Sequence, residues 1–166
     1  MKSGEKKIYH NIISEGDAEH LITYAQNTPS LKDTKIDRVS IIHDIFNQLQ
    51  HFVKLKFKLG NSFWWIKNYN KGIIPHYDTG NNKHMLWCNL SCSILLSNPT
   101  TFEGGIVYFD DGRSVKPSEH YLNALIYSSV ENMGLNKHWV DKCSSGNRWI
   151  FLMFIETEDI ENDTKL

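Results

Sequence analysis

Residues 62–78 read Ser62-Phe63-Trp64-Trp65-Ile66-Lys67-Asn68-Tyr69-Asn70-Lys71-Gly72-Ile73-Ile74-Pro75-His76-Tyr77-Asp78, and here the texture of the chain changes. Before this stretch, apolar residues recur at helical spacing. From it onward come short runs rich in aromatic and branched residues, at 63–69, 73–77, 86–96, 105–109, 124–128, 138–140 and 149–155. Turn signals separate them, among them Gly80-Asn81-Asn82, Asn98-Pro99 and Asp110-Asp111-Gly112. Short runs punctuated in this way read as antiparallel strands. Asp111-Gly112, between 106–109 and Ser114-Val115, marks a hairpin. Strands following helices predict a mostly β domain with N-terminal helices, a small antiparallel barrel or jelly roll buttressed on one sheet.

Upstream, Ser14-Glu15-Gly16-Asp17 has the capping-box pattern, and Ala18, Leu21, Ile22 and Ala25 follow at helical spacing. A helix is expected over 15–27, after a loosely alternating 8–13 that can form a strand. Residues 27–35 are polar, contain Pro29 and read as a loop. In 38–58, Ile41, Ile45, Leu49 and Phe52 make one helical face, widened by Ile42, Phe46 and Val53. Residues 53–59 also alternate with period two. With no breaker before Gly60, the expectation is one long helix. The chain is expected to be one domain over 1–166, with 1–60 as helical support, 61–156 as the β-barrel core and a frayed acidic tail from Glu156.

The 166 residues are 40% hydrophobic and 22% charged, as in ordinary globular proteins. A net charge of −1 gives no bulk attraction to nucleic acid or an anionic membrane. Lys2, Lys6 and Lys7 read as a solvated tail. Cys88, Cys92 and Cys143 are odd in number, and neither a secretory leader nor a bilayer-spanning stretch is evident. Reduced thiols in a cytoplasmic protein are expected.

On a strand, residues i and i+2 point to one side, so His76 and Asp78 can reach one metal. With 8 histidines in the chain, that pair alone is weak; chance gives roughly half a His-x-Asp at this composition. The downstream residues strengthen it. His138 opens the short segment His-Trp-Val, expected on a strand facing the first across the barrel. Arg148 follows Ser144-Ser145-Gly146-Asn147. If 138–140 and 148–154 are antiparallel neighbours, Arg148 points into the same cavity, deeper than the metal. Its planar fork suits a carboxylate. Two imidazoles and a carboxylate can hold iron on one face, leaving positions open for a small chelating acid and oxygen.

With Tyr69-Asn70-Lys71-Gly72, Pro75-His76-Tyr77-Asp78, Phe102-Glu103-Gly104-Gly105, Val115-Lys116-Pro117 before 124–127, and His138 with Gly146-Asn147-Arg148, the chain resembles the iron(II)- and 2-oxoglutarate-dependent dioxygenases, prolyl 4-hydroxylase-like group. Ile12-Ile13-Ser14 before a helix matches the family's opening. The resemblance runs in order over nearly the whole chain and implies a double-stranded β-helix of the jelly-roll or cupin-like kind. It implies that His76, Asp78 and His138 ligate Fe(II), and that Arg148 binds the C5 carboxylate of 2-oxoglutarate with help from Tyr69. Gly104-Gly105 would let the chain turn closely beside the barrel mouth. The implied chemistry consumes oxygen and 2-oxoglutarate, yields succinate and CO2, and hydroxylates a substrate carbon, with ascorbate allowed as an addition. The implied substrate is a peptidyl proline in a peptide or protein. Between Tyr69 and His76 the chain is shorter than the family's usual form, and Ile73 and Ile74 stand where an aromatic is common.

The remaining candidates have plainer readings. Trp64 and Trp65 must face opposite sides, so at most one lines a cavity. Tyr77 and Trp139 point away from the metal. His43, His51, His84 and His120 have no partner pattern. Asp110 and Asp111 fit a hairpin turn, and Ser128-Ser129 lacks a nucleophile elbow. Residues 79–85 read as a lid over the substrate or as a surface loop. Two alternatives stand beside the peptide reading: the same chemistry on a nucleic acid base or small molecule, and a non-catalytic cupin-like metal-binding barrel. A plain metal-binding barrel has no need of Arg148.

Overall fold

The computed structural model describes residues 5–28, 34–79, 84–129 and 136–158. Strand β1 (Lys6–Tyr9) leads to helix α1 (Glu15–Asn27), a 3-10 turn (Ile36–Arg38) and helix α2 (Ser40–Val53). Then come β2 (Phe57–Asn68), β3 (Ile73–His76), β4 (Leu90–Leu95), β5 (Val107–Phe109), β6 (Ser114–Val115), the short helix α3 (Pro117–His120), β7 (Ala124–Ser128), β8 (His138–Val140) and β9 (Trp149–Thr157). A five-stranded sheet runs β1-β7-β4-β9-β2 and a four-stranded sheet runs β3-β8-β5-β6, every pairing antiparallel. The two sheets are those of a jelly roll.

The helices begin as their sequences direct. Ser14 Oγ accepts the Asp17 N–H at 3.1 Å, and the Asp17 carboxylate accepts the Ser14 N–H at 3.1 Å, completing the capping box. Helix α2 buries Ile42, Ile45, Phe46, Leu49 and Val53, one stripe at helical period. It ends sooner than expected. Lys54 turns into the left-handed region at φ 58°, its N–H bonding to the Gln50 carbonyl. Of the period-two piece, Val53 ends the helix and residues 57–59 join β2. Phe57 packs edge-on against Phe46 at 5.2 Å and pairs with Thr157 on β9, and the Gln50 side chain accepts its N–H. Cross-strand bonds and burial of Phe57 outweigh one more turn of helix.

Three further expectations change. Lys6 is no solvated tail residue: on β1 its side chain is 4% exposed, and its ammonium pairs with Asp111 at 2.7 Å and lies over the Phe109 ring. The strand expected from residue 86 begins at Leu90, after a turn over 84–87. Glu156 is not frayed, because β9 runs to Thr157 and the Glu156 N–H bonds to Ser62 Oγ. The Asp111-Gly112 hairpin joins β5 to β6 as expected.

The large sheet divides its side chains by period two. Trp64, Ile66, Cys92, Ile94, Ile126, Phe151 and Met153 pack with Leu21, Ile42 and Leu49 of the helices. The opposite face meets the small sheet, where Leu125 and Tyr127 pack with Val107, Phe109, Val115 and Val140. No helix among the described residues is long and apolar enough to cross a membrane. Leu49 is fully buried in the helix–sheet core. Leu49→Ala is expected to destabilise the fold by about 2–5 kcal/mol, read from chemical denaturation.

Candidate metal centre

β3 ends at His76 and β8 begins at His138, and the register sets the two directly opposite each other. They are therefore neighbours in one sheet and do not face each other across the barrel. Their rings lie 4.4 Å apart. Asp78 sits just past the end of β3, where the chain bends back toward the rings. Its Oδ1 is 3.4 Å from His76 Nε2 and 3.7 Å from His138 Nε2. One ligand atom from each of the three lies within 4.8 Å of the others, a spacing that can hold a metal ion.

Local backbone orients both rings. His76 Nδ1 is 2.8 Å from the Ile74 carbonyl, and His138 Nδ1 is 3.0 Å from the Asn136 carbonyl. A carbonyl only accepts, so each Nδ1 carries a proton and each Nε2 turns inward, where it offers a lone pair or, when His76 is protonated, donates to Asp78. Burial alone would raise the Asp78 carboxyl, but its hydrogen bond with His76 and the neighbouring His138 hold it down to about 2. Burial lowers His138 despite Asp78. At His76 burial also works downward, but the hydrogen bonds to Asp78 and Ile74 carry it above the ordinary imidazole value. Asp78 thus favours a positive charge among the three side chains. A proton on His76 supplies that charge in part, and a divalent cation supplies it in full.

Tyr127, whose role the sequence did not disclose, completes the centre. Its hydroxyl donates to Asp78 Oδ2 at 3.0 Å and lies 3.2 Å from His138 Nε2. Burial, then the Asp78 charge, pushes the phenol well above its ordinary value, so it stays a donor. The signal was present in the alternation of β7: Leu125 and Tyr127 share a face, opposite Ala124 and Ile126.

Arg148 does not reach the cavity from a strand beside β8. It precedes β9 in the large sheet while His138 lies in the small one, so the two meet across the interior. Arg148, Tyr69, Ser93, Tyr127 and His138 line one narrow cavity with Val107, Leu125, Val140 and Ile150. Arg148 is 2% exposed, its Nε has no hydrogen-bond partner, and no carboxylate among the described residues pairs with it. Burial pulls the guanidinium down to about 10, so it remains a cation at neutral pH. The sequence segments around it interlock. The Arg148 N–H bonds to Asn70 Oδ1 at 2.8 Å, the Tyr69 N–H bonds to the Arg148 carbonyl, and Asn147 Oδ1 accepts from Asn68 and Asn70. Gly105, at φ +75°, lies against the arginine stem; a Cβ there would stand 2.7 Å from Arg148 Cδ.

From this cavity a cleft of about 200 Å3 opens past His76 and Asp78, walled by Trp65, His84, Met85, Tyr127 and Phe154. Trp64 faces the core and Trp65 the cleft. Of the expected lid, residues 80–83 lie outside the described residues; Thr79 is buried and donates to the Ser129 carbonyl. His120 is also buried, with Nε2 against Ser93. The three cysteines are free and buried, and burial raises Cys88 to about 12.

No protein-family model and no curated protein sequence matches this chain. Solved structures do. The viral collagen prolyl hydroxylase of Paramecium bursaria Chlorella virus-1, in its complex with 2-oxoglutarate, superposes with a TM-score of 0.69 at 14% identity, over 92% of this chain and 96% of that one. A prolyl-4-hydroxylase of Pseudomonas putida gives 0.64 at 11% identity, over 95% and 90%. At such identity the likeness is one of fold: the chain is a jelly roll buttressed by helices, of the form these hydroxylases share.

Proposed function

We propose that this protein is an iron(II)- and 2-oxoglutarate-dependent dioxygenase that hydroxylates a carbon of a peptide or protein, with peptidyl proline as the substrate. One observation carries the reading. A cluster of two imidazoles and a carboxylate adjoins, through His138, a cavity lined also by a buried guanidinium that pairs with no carboxylate among the described residues.

The residues fit both groups. Two imidazoles and one carboxylate on a single face suit iron(II) and leave positions for a bidentate acid. Arg148, its Nε without a hydrogen-bond partner and its charge without a carboxylate among the described residues, suits a second carboxylate farther in. A five-carbon 2-oxo diacid has both ends. His76, Asp78 and His138 would hold the metal; Arg148, with Tyr69, would hold the C5 carboxylate. When bound, iron and 2-oxoglutarate supply the oxidation, in which one atom of O2 enters succinate as CO2 leaves and the other becomes the substrate hydroxyl. The chain's own work is positional. The Ile74 and Asn136 carbonyls hold the imidazole tautomers. Tyr127 occupies Asp78 Oδ2 and leaves Oδ1 for the metal. Val107, Leu125, Val140 and Ile150 keep bulk water from the diacid.

Several features support a peptide. Trp65, Met85 and Phe154 offer an apolar wall beside the open side of the centre. Ile74 and Leu86, 81% and 65% exposed, lie next in sequence to the cleft residues Ile73 and Met85. The proteins of similar fold are by name prolyl hydroxylases. The net charge of −1 gives a polyanionic nucleic acid no general attraction.

The decisive experiment is an anaerobic titration with iron(II) and 2-oxoglutarate followed by an oxygen pulse. Succinate is read with and without a panel of proline peptides; no peptide-stimulated succinate would remove the prolyl reading. His138→Ala is expected to lose stoichiometric iron, measured by metal analysis after desalting. Tyr127→Phe leaves Asp78 Oδ2 without its donor and is expected to weaken metal binding roughly 10–100-fold by competitive titration. Arg148→Ala is expected to weaken 2-oxoglutarate binding by about 2–5 kcal/mol, measured by calorimetry on the metal-loaded protein.

A further inference from the structure

We propose that Ser93 is a further hydroxyl donor to the distal carboxylate of the co-substrate, held in its donating orientation by the positioning residue His120. This rests on Arg148 as the anchor of that carboxylate. It adds to that anchor a pair of residues that no pattern in the sequence singled out.

β4 reads Leu-Ser-Cys-Ser-Ile-Leu. Its alternation sends Leu90, Cys92 and Ile94 to the helices and turns Ser93 the other way, into the cavity shared with Tyr69 and Arg148. Much of the remaining wall there is aliphatic. A hydroxyl in such a wall is costly unless it is bonded. Ser93 Oγ lies 3.0 Å from Nε2 of His120, the last residue of α3. The same Nε2 is 2.9 Å from the carbonyl of Ser93.

Those two contacts set the direction of donation. The carbonyl can only accept, so Nε2 carries the proton and shares it with both oxygens of Ser93. Ser93 Oγ is thereby an acceptor toward His120, and its own proton remains to be given elsewhere. The arrangement needs a neutral imidazole, and burial, then the Arg148 charge, holds His120 down at about 3. In the same cavity Arg148 Nε also lacks an acceptor. A carboxylate has lone pairs enough to accept from both.

The test uses the full chain loaded with Zn(II), which binds without turnover. Calorimetry compares 2-oxoglutarate with 2-oxopentanoate, in which a methyl replaces the distal carboxylate. Ser93→Ala is expected to weaken 2-oxoglutarate about ten-fold, the usual loss of a hydrogen bond to a charged group, while leaving 2-oxopentanoate within about two-fold. His120→Phe weakens the diacid in the same direction and adds nothing on top of Ser93→Ala, since both act through one hydroxyl. His120→Gln, whose amide N–H can replace Nε2–H, restores the preference. Equal losses for both acids in Ser93→Ala, or none for the diacid, overturn the assignment and leave the role of Arg148 intact. A wild-type protein that fails to prefer the diacid overturns the role of Arg148 and this proposal with it. Ser93→Ala removes a single atom, so it decides the matter even if a His120 variant does not fold.

Discussion

Every side chain of β4, β7 and β9 must face either the helices or the small sheet, and that choice arranges the rest of the molecule. On β9, Phe151, Met153 and Ile155 take the helix side while Ile150 and Leu152 take the other. On β7, Ala124 and Ile126 oppose Leu125 and Tyr127. A slip of one residue in either strand would exchange the two sets. It would bury the Tyr127 hydroxyl among the helices and turn Ile126 toward Asp78. The hydrophobic register that stabilises the fold therefore also delivers the polar groups of the centre, and neither can shift without the other.

The histidines achieve their orientation more locally. Each donates from Nδ1 to the carbonyl two residues earlier in its own segment, Ile74 for His76 and Asn136 for His138. Antiparallel pairing of those two segments then brings both Nε2 atoms to one point. Asp78 differs. It lies beyond the strand and takes its outer hydrogen bond from Tyr127, 49 positions away in sequence. The imidazoles are thus set by two short strands, whereas the carboxylate depends on the seating of the large sheet against the small one.

This division explains what could be read without a structure. Ser14 and Asp17 and the Asp111-Gly112 turn are local features, and local rules recover them. Strand alternation was the reason for pairing His76 with Asp78, but Asp78 comes beside the ring from a bend past β3. The end of α2 could not be read in that way. Nothing in 53–58 breaks a helix; Phe57 leaves it because Phe46 and a β9 partner hold it in a strand. Lys6 misled for the same reason, its partner Asp111 being 105 positions distant. Arg148 was recognised as a candidate, but through an incorrect pairing of β8 with β9. Sheet membership is a non-local property, and a separation of ten positions from His138 to Arg148 suits a crossing between sheets as well as a hairpin. Ser93 was missed because a hydroxyl in a hydrophobic strand pattern has no signature until its facing neighbours are known. The alternation of β7 gave the face of Tyr127 but not its partner Asp78, and His120, at the end of α3, has a role only through Ser93.

Arg148 gives the strongest reason to regard the interior as made for a ligand. A buried guanidinium that finds no counter-anion, as Arg148 finds none among the described residues, is among the more costly groups a small domain can carry. An aliphatic side chain of similar volume would fill the same place, between Gly105 and the cavity, at no desolvation cost. Gly105 compounds this, since a bare backbone at φ +75° is needed there to let the arginine stem pass. Nothing in the packing of either sheet requires a cation at that point. Two unfavourable choices made together are understandable if the missing anion arrives with a ligand. Binding then removes the penalty as well as making the contact, so an anion that fits should stabilise the folded state in proportion to its occupancy. On the proposed reading, the same charge that weakens the empty protein is what makes it select a diacid.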